Sequence, residues 1–360
     1  MGGEEARIAM DIFETVVSRQ KRWECLMKPG RAPDFLFVVR WPDPDMPEWV
    51  ALWPELRKER LDYIWKSYRR HLDRAAWLED DFIPHLCMIT GTEIFAEAFG
   101  CPVHRPSDTM PSARPLIHSA SEVARIKVPE LSTSSLAYLF DMADDLHRRD
   151  PEAVFRLVDI QSPMDIAALI WEKSSFYVGI IEAPEAVREL ADKVRELLTA
   201  FLDEWFRRYG TRYVAHYPDY FMSGGITLSE DEVGMVSPEI FEEFFLPELT
   251  ALSARYGGLG MHCCANARHQ WANFRKIPGL QLLNLVQPPE VLKEAFGFFA
   301  DGPVQMHGAS IAVGPVETWP GQYPANARVV LEVPVKTREE AMAAATQLNA
   351  LRAAGRDHAG

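Results

Sequence analysis

The chain has 360 residues, of which 48% are hydrophobic and 25% charged, so it can build a large buried core. Its 52 acidic and 38 basic residues give a net charge of -14, which opposes attraction to nucleic-acid phosphates or to an anionic membrane surface. The five cysteines have no disulfide spacing, and no stretch approaches the ~20 apolar residues of a membrane span. We therefore predict a cytoplasmic globular protein that acts on a small molecule, without a nucleic-acid or membrane partner. The sequence leaves the oligomeric state open.

Eight short apolar runs are typical of buried strands, and amphipathic helical segments lie between them. In chain order, the predicted strands cover residues 35–40, 86–90, 154–160, 213–217, 258–264, 280–286, 304–308 and 328–335. Three long helices are predicted from Glu185, Ser237 and Thr337, with stops at Gly210, Gly257 and Gly355. A strand and a helix repeated about eight times predict one α/β domain, a (β/α)8 TIM barrel. A doubly wound sheet is disfavoured because no Gly-x-Gly-x-x-Gly follows an early strand.

The domain organisation follows from the absence of any linker or tandem repeat in the sequence. Residues 1–76 are predicted to form an N-terminal helical extension together with the first barrel strand. Residues 77–360 are predicted to form the rest of the barrel.

The stretch "MHCCANARHQ", residues 261–270, ends a predicted strand and begins a predicted helix. Side chains alternate along a strand, so His262 and Cys264 are predicted to share a face and Cys263 to point away. An imidazole and a thiolate are zinc ligands, and a catalytic site needs a third protein ligand. A buried cysteine beside a hydrogen-bonded histidine explains the same pattern equally well.

The carboxyl ends of barrel strands line the active site, which directs attention to three further residues. His307, in "VQMHG", ends a later strand and is predicted as third metal ligand and catalytic residue. Asp81, before the second strand, is predicted to reach the same mouth as a catalytic group, although helix termination or a surface carboxylate beside Asp80 is the more usual explanation of an isolated Asp-Asp pair. Tyr217 ends "YVAHY" and is predicted to contact substrate, although core packing is its alternative.

The segment "GGITLSEDEVGMVSPEIFEEFFLPELTALSARYGGLGMHCCAN" resembles the uroporphyrinogen decarboxylase superfamily in its S-x-D turn, its SP-x-x-F helix and its His-x-Cys strand end. The resemblance extends from about Trp77 to Gly355. It includes "VDIQSPMDIAALI", which is similar to a strand end of the family and implies Gln161 as a substrate contact.

The superfamily also contains zinc-dependent methylcobamide:coenzyme M methyltransferases and corrinoid demethylation proteins. Resemblance to that branch implies His262 and Cys264 as zinc ligands, with His307 where the family usually has a cysteine. The decarboxylase branch is similar at His307 and Asp81. However, the chain has no arginine-rich "RQAGR" element near its N-terminus to bind the carboxylates of a porphyrinogen.

The function predicted from these features is zinc-dependent methyl transfer between a corrinoid, either methylcobalamin or a corrinoid protein, and a thiol or small methylated substrate. Zn2+ is the expected cofactor and the corrinoid a co-substrate. One alternative is a metal-independent decarboxylase that acts on a carboxylated substrate through Asp81 and the histidines. The other is a non-catalytic protein that binds a corrinoid partner.

Overall fold

The computed structural model describes residues 3–28, 35–308 and 311–357 and has an α/β architecture. Its helices are α1 Gly3–Met27, α2 Arg57–Ala75, α3 Ile94–Ala98, α4 Ala137–Arg149, α5 Pro163–Ile170, α6 Lys173–Glu182, α7 Pro184–Tyr209, α8 Pro238–Ile240, α9 Leu246–Tyr256, α10 Trp271–Phe274, α11 Pro289–Phe298 and α12 Arg338–Asp357. A π-helical turn, Phe241–Phe245, joins α8 to α9. None of the helices in the described ranges is long and apolar enough to cross a membrane.

The strands are β1 Leu36–Arg40, β2 His85–Cys87, β3 Val103–His104, β4 Ser112–Ala113, β5 Val154–Arg156, β6 Arg212–Val214, β7 Phe221–Ser223, β8 Ile226–Ser229, β9 Leu259–Cys263, β10 Leu280–Leu285, β11 Val304–Gln305 and β12 Val330–Pro334. One parallel sheet has the order β11, β10, β9, β8, and β1 pairs in parallel with β12. A third sheet pairs β2, β5 and β6 in parallel and adds β7 antiparallel, while β3 and β4 form a small antiparallel pair.

Single contacts connect these sheets to one another. Gln305 bridges to Val329, and Gln161 bridges to Ser229. The backbone N–H of Asp81 donates to the carbonyl oxygen of Phe37 at 2.9 Å. Among the described residues the strand ladders do not close into one continuous barrel. The predicted α/β class with parallel strands is therefore confirmed, whereas eightfold closure stays a prediction.

Each predicted strand overlaps an observed one, but most are longer in the prediction than in the structure. The pattern missed β3, β4, β7 and β8, of which β8 is a four-residue strand that pairs with β9. The helix predicted directly after "MHCC" is confined to α10 and a preceding 3-10 turn. The helix from Thr337 passes its predicted stop at Gly355 and continues to Asp357, the last described residue.

Candidate metal centre

Three potential metal ligands meet at the carboxyl ends of β8 and β9. Asp231 follows β8 by two residues, and His262 and Cys264 lie at the end of β9. Their ligand atoms all lie within 4.8 Å of one another. The strand register explains this proximity, because Ser229 of β8 is paired with His262 of β9. The structure thus brings together two of the predicted ligands and adds a carboxylate that the sequence analysis did not name.

Asn284 of β10 determines which nitrogen of His262 is available. The side-chain amide of Asn284 donates to the carbonyl oxygen of Met306, so its own oxygen Oδ1 faces His262. Nδ1 of His262 lies 2.6 Å from that oxygen and must therefore be the protonated nitrogen. Nε2 is left with a free lone pair, as in histidines that bind zinc and donate their second nitrogen to a polar partner.

The turn that carries Asp231 is held by a second, buried carboxylate. Asp165, in the first turn of α5, accepts hydrogen bonds from the backbone N–H of Asp231 at 2.8 Å and of Glu232 at 2.9 Å. Burial raises the pKa of Asp165 to about 7, and the buried Glu230 beside it shares its environment. Asp165 therefore fixes the backbone of the turn from which the Asp231 side chain extends.

Cys264 and Cys263 face different surroundings, as strand alternation predicts. Cys264 is exposed and its backbone N–H donates to Oδ1 of Asp231 at 2.6 Å, whereas Cys263 is fully buried. Burial and the neighbouring carboxylate of Asp231 raise the pKa of the Cys264 thiol to about 12. A divalent cation would offset that carboxylate charge and favour the thiolate. Imidazole, thiolate and carboxylate are all zinc ligands, so this donor set fits zinc.

A cavity of about 270 Å³, called here the metal cavity, opens beside this group and includes His262 and Asp231 in its lining. Gln161 and Tyr217, the two predicted substrate contacts, line the metal cavity as well. The Tyr217 ring lies edge-on to the His262 ring, with 4.8 Å between the centroids. Their contact with a substrate remains a prediction, but both lie where a bound molecule would touch them.

Asp159 and His216 add a carboxyl group and an imidazole, both with shifted pKa values, to the lining of the metal cavity. Burial, followed by the nearby carboxylate of Glu93, raises the pKa of Asp159 to about 7. Nε2 of His216 lies 3.5 Å from Oδ1 of Asp159 and 2.9 Å from the hydroxyl oxygen of Ser229. Burial lowers the pKa of His216 well below its usual value, so its imidazole is neutral at pH 7.

His307 does not join the metal group, contrary to the prediction. It is buried in the core, where its Nδ1 accepts from the backbone N–H of Leu285 at 3.1 Å. Its Nε2 donates to the side-chain oxygen of Gln305 at 3.1 Å, and its ring packs 4.5 Å from that of Phe296. Burial lowers its pKa to about 3. Both nitrogens are used inside the protein, so Asp231 replaces His307 as the candidate third ligand.

Asp81 does not reach the metal cavity either, which corrects the second expectation about the site. It precedes β2 and therefore lies at the amino-terminal edge of the sheet. Its buried carboxylate accepts from Nε of Arg22 at 2.6 Å and from the guanidinium of Arg352 at 2.7 Å. These contacts connect α1, the start of β2 and α12, and they form a buried ion-pair network that stabilises the fold.

Asp231 and Asp159 were not predicted as site residues, although the sequence contains features that point to each of them. Asp231 belongs to the S-x-D turn of the segment quoted above, but that turn was not connected to the metal site because β8 was not recognised. Asp159 lies in the predicted strand "VFRLVDI", two residues before Gln161. An acidic residue near the end of an apolar run is a recognisable departure from a buried strand.

These features define an α/β protein with a candidate metal centre at the carboxyl edge of parallel strands. The family model for uroporphyrinogen decarboxylase (URO-D) matches residues 85–295. The chain belongs to this family, as the resemblance predicted. Among solved structures it is similar to a methyltransferase from Methanosarcina mazei, with a TM-score of 0.60, 13% identity, and coverage of 84% of this chain and 88% of that chain. No curated protein sequence gives a significant match.

Proposed function

We propose that this protein catalyses zinc-dependent methyl transfer between a corrinoid and a thiol or small methylated substrate. The observation that carries the proposal is the grouping of Asp231, His262 and Cys264 beside a small cavity. Family membership and the similar fold of a methyltransferase support it. Both comparisons also favour the (β/α)8 barrel arrangement, in which strand carboxyl ends form the active site.

The proposed zinc ligands are Nε2 of His262, Sγ of Cys264 and a carboxylate oxygen of Asp231. When bound there, zinc would lower the pKa of a coordinated thiol or water and so supply a nucleophile at neutral pH. Asn284 would hold the His262 ring in position, and Asp165 would hold the turn of Asp231. A shell with one thiolate is less electron-rich than one with two, so we expect weaker activation of a thiol than in two-thiolate sites.

The residues of the metal cavity would bind the smaller reactant and exclude water. Its volume of about 270 Å³ suits a small molecule, so the corrinoid would approach from outside the cavity mouth. Asp159 would hold or release a proton there, because its pKa of about 7 lies near neutral pH.

The test supplies the zinc-loaded protein with methylcobalamin and a thiol, or with reduced cobalamin and a methylated substrate, and records the cobalamin absorption spectrum. We expect a spectral change in one of these directions. Cys264→Ala should abolish it, whereas Cys25→Ala, which removes another exposed cysteine, should not. The proposal fails if no change occurs in either direction, or if both variants behave alike.

A decarboxylase remains the second candidate because Asp159 and the neutral His216 together provide an acid and a base in one cavity. This activity would not require metal. Carbon dioxide release from a carboxylated substrate by zinc-free protein, lost in Asp159→Asn and retained in Cys264→Ala, would favour this candidate over methyl transfer.

A further inference from the structure

The metal cavity contains more hydrogen-bond acceptors than its protein donors satisfy. Oδ1 of Asp159 and Oε1 of Gln161 are buried and have no hydrogen-bond partner among the described residues. Both residues line the metal cavity. Buried polar atoms without partners are costly, and binding sites are where such atoms find their partners in a ligand. The complementary ligand carries an N–H or O–H donor.

The charges around Asp159 indicate which kind of donor fits. The carboxyls of Glu93 and Asp231 repel its ionised form, and the neutral His216 offers no charge. The one cation in the lining, Arg156, attracts the ionised Asp159 without an ion pair between them, because Arg156 pairs with Asp219 at 3.4 Å and donates to the carbonyl oxygen of His216. Asp159 therefore has no cationic partner within salt-bridge distance in the described structure, and a cationic ligand would supply one.

The rest of the wall is suited to methyl groups. Met88, Ile89 and Met110 present apolar surface to the metal cavity, and Tyr217 presents an aromatic ring. Aromatic rings attract alkylated ammonium ions through the negative potential of their faces, and methionine side chains adapt to irregular apolar shapes. An acceptor carboxylate, an aromatic ring and an apolar wall together match a small ammonium ion that bears methyl groups.

We propose that the metal cavity binds a protonated methylated amine, with its N–H directed at Oδ1 of Asp159 and its methyl groups against Tyr217 and the methionines. This inference rests on the proposed methyl-transfer function and assigns it a substrate class. In the transfer, a reduced corrinoid gives an electron pair to one methyl carbon while the C–N bonding pair stays on nitrogen. The amine leaves neutral with one methyl group fewer, and no additional proton is required.

The test measures binding of trimethylammonium chloride to zinc-free protein by calorimetry, without any corrinoid. Tetramethylammonium, which lacks the N–H, and tert-butanol, which lacks the charge, are the matched probes. We expect trimethylammonium to bind most tightly and tert-butanol least. Affinity should rise about tenfold between pH 6 and pH 8 as Asp159 ionises, with release of a proton on binding at the lower pH.

Substitutions of Asp159 and Tyr217 test how much each of these lining residues contributes to amine binding. Asp159→Asn should weaken trimethylammonium binding at least tenfold and remove its pH dependence, whereas Asp203→Asn, at an exposed site on α7, should leave it unchanged. Tyr217→Phe should retain binding and Tyr217→Leu should weaken it. Equal binding of the three probes, or an unaltered Asp159→Asn variant, would overturn the inference. Corrinoid chemistry without amine binding refutes only the substrate class, whereas amine binding without corrinoid chemistry refutes only the proposed reaction.

Discussion

Replacing Asn284 by alanine should weaken zinc binding although Asn284 is not itself a proposed ligand. The substitution removes the oxygen that accepts from Nδ1 of His262 at 2.6 Å, so the ring loses both its fixed orientation and its defined tautomer. Loss of such a partner typically reduces metal affinity about 10- to 100-fold, which corresponds to about 1.4 to 2.7 kcal/mol. Zinc competition against a chromophoric chelator measures this change directly.

Two further variants make the Asn284 experiment decisive. Asn284→Asp keeps an acceptor oxygen beside His262 and should retain most of the affinity. His307→Gln should reduce stability, because His307 is buried and bonded to Leu285, but should leave zinc affinity within about twofold of the original, a change of less than about 0.5 kcal/mol. A larger loss of zinc in His307→Gln than in Asn284→Ala would refute the assignment of Asp231 as third ligand.

Three other substitutions test the structure away from the ligands. Asp81→Ala should lower the free energy of unfolding by about 3 to 5 kcal/mol, because it leaves Arg22 and Arg352 without their buried counter-charge, while zinc affinity stays the same; a loss of zinc would return Asp81 to the site. The raised pKa of Asp159 means that the folded state binds more protons than the unfolded state, so its contribution to stability falls as pH rises from about 4 to about 7. Measured by urea unfolding, the free energy of unfolding should fall less between pH 5 and pH 7 in Asp159→Asn than in the unmodified protein. An equal fall in the two proteins would contradict this. Gly260→Ala would place a methyl carbon 2.2 Å from the hydroxyl oxygen of Tyr220 and should cost about 1 to 3 kcal/mol, partly recovered in the double variant with Tyr220→Phe.

The sequence was most informative where hydrophobic patterns were long. β1, β9, β10 and β12 each contain five or six residues and were located within two residues of their observed ends. The four residues of β8 follow Gly224 and Gly225, both at positive φ, and a run so short carries too little periodicity to be recognised. Its omission concealed the approach of Asp231 to His262, because only the pairing of β8 with β9 brings them together.

The two misplaced residues show the limit of reading side-chain direction from strand ends. β11 stops at Gln305, two residues before His307, so alternation no longer determines where that histidine points. Its ring instead turns into the core toward Gln305 and Leu285. Asp81 precedes its strand, and residues before a parallel strand lie at the edge opposite the active site. The position of Asp81 could therefore have been predicted from the sequence, whereas the direction of the His307 ring could not.

The two ends of the parallel strands differ in how their buried acidic groups are paired. At the amino edge, Asp81 pairs with arginines from α1 and α12, so the two ends of the described chain are fastened to the same buried carboxylate. At the carboxyl edge, burial and neighbouring carboxylates raise the pKa of the Asp159 carboxyl and of the Cys264 thiol, so both groups resist ionisation. A cation bound at the proposed metal centre would favour the ionised form of both groups, whereas Asp81 already has its counter-charges within the protein.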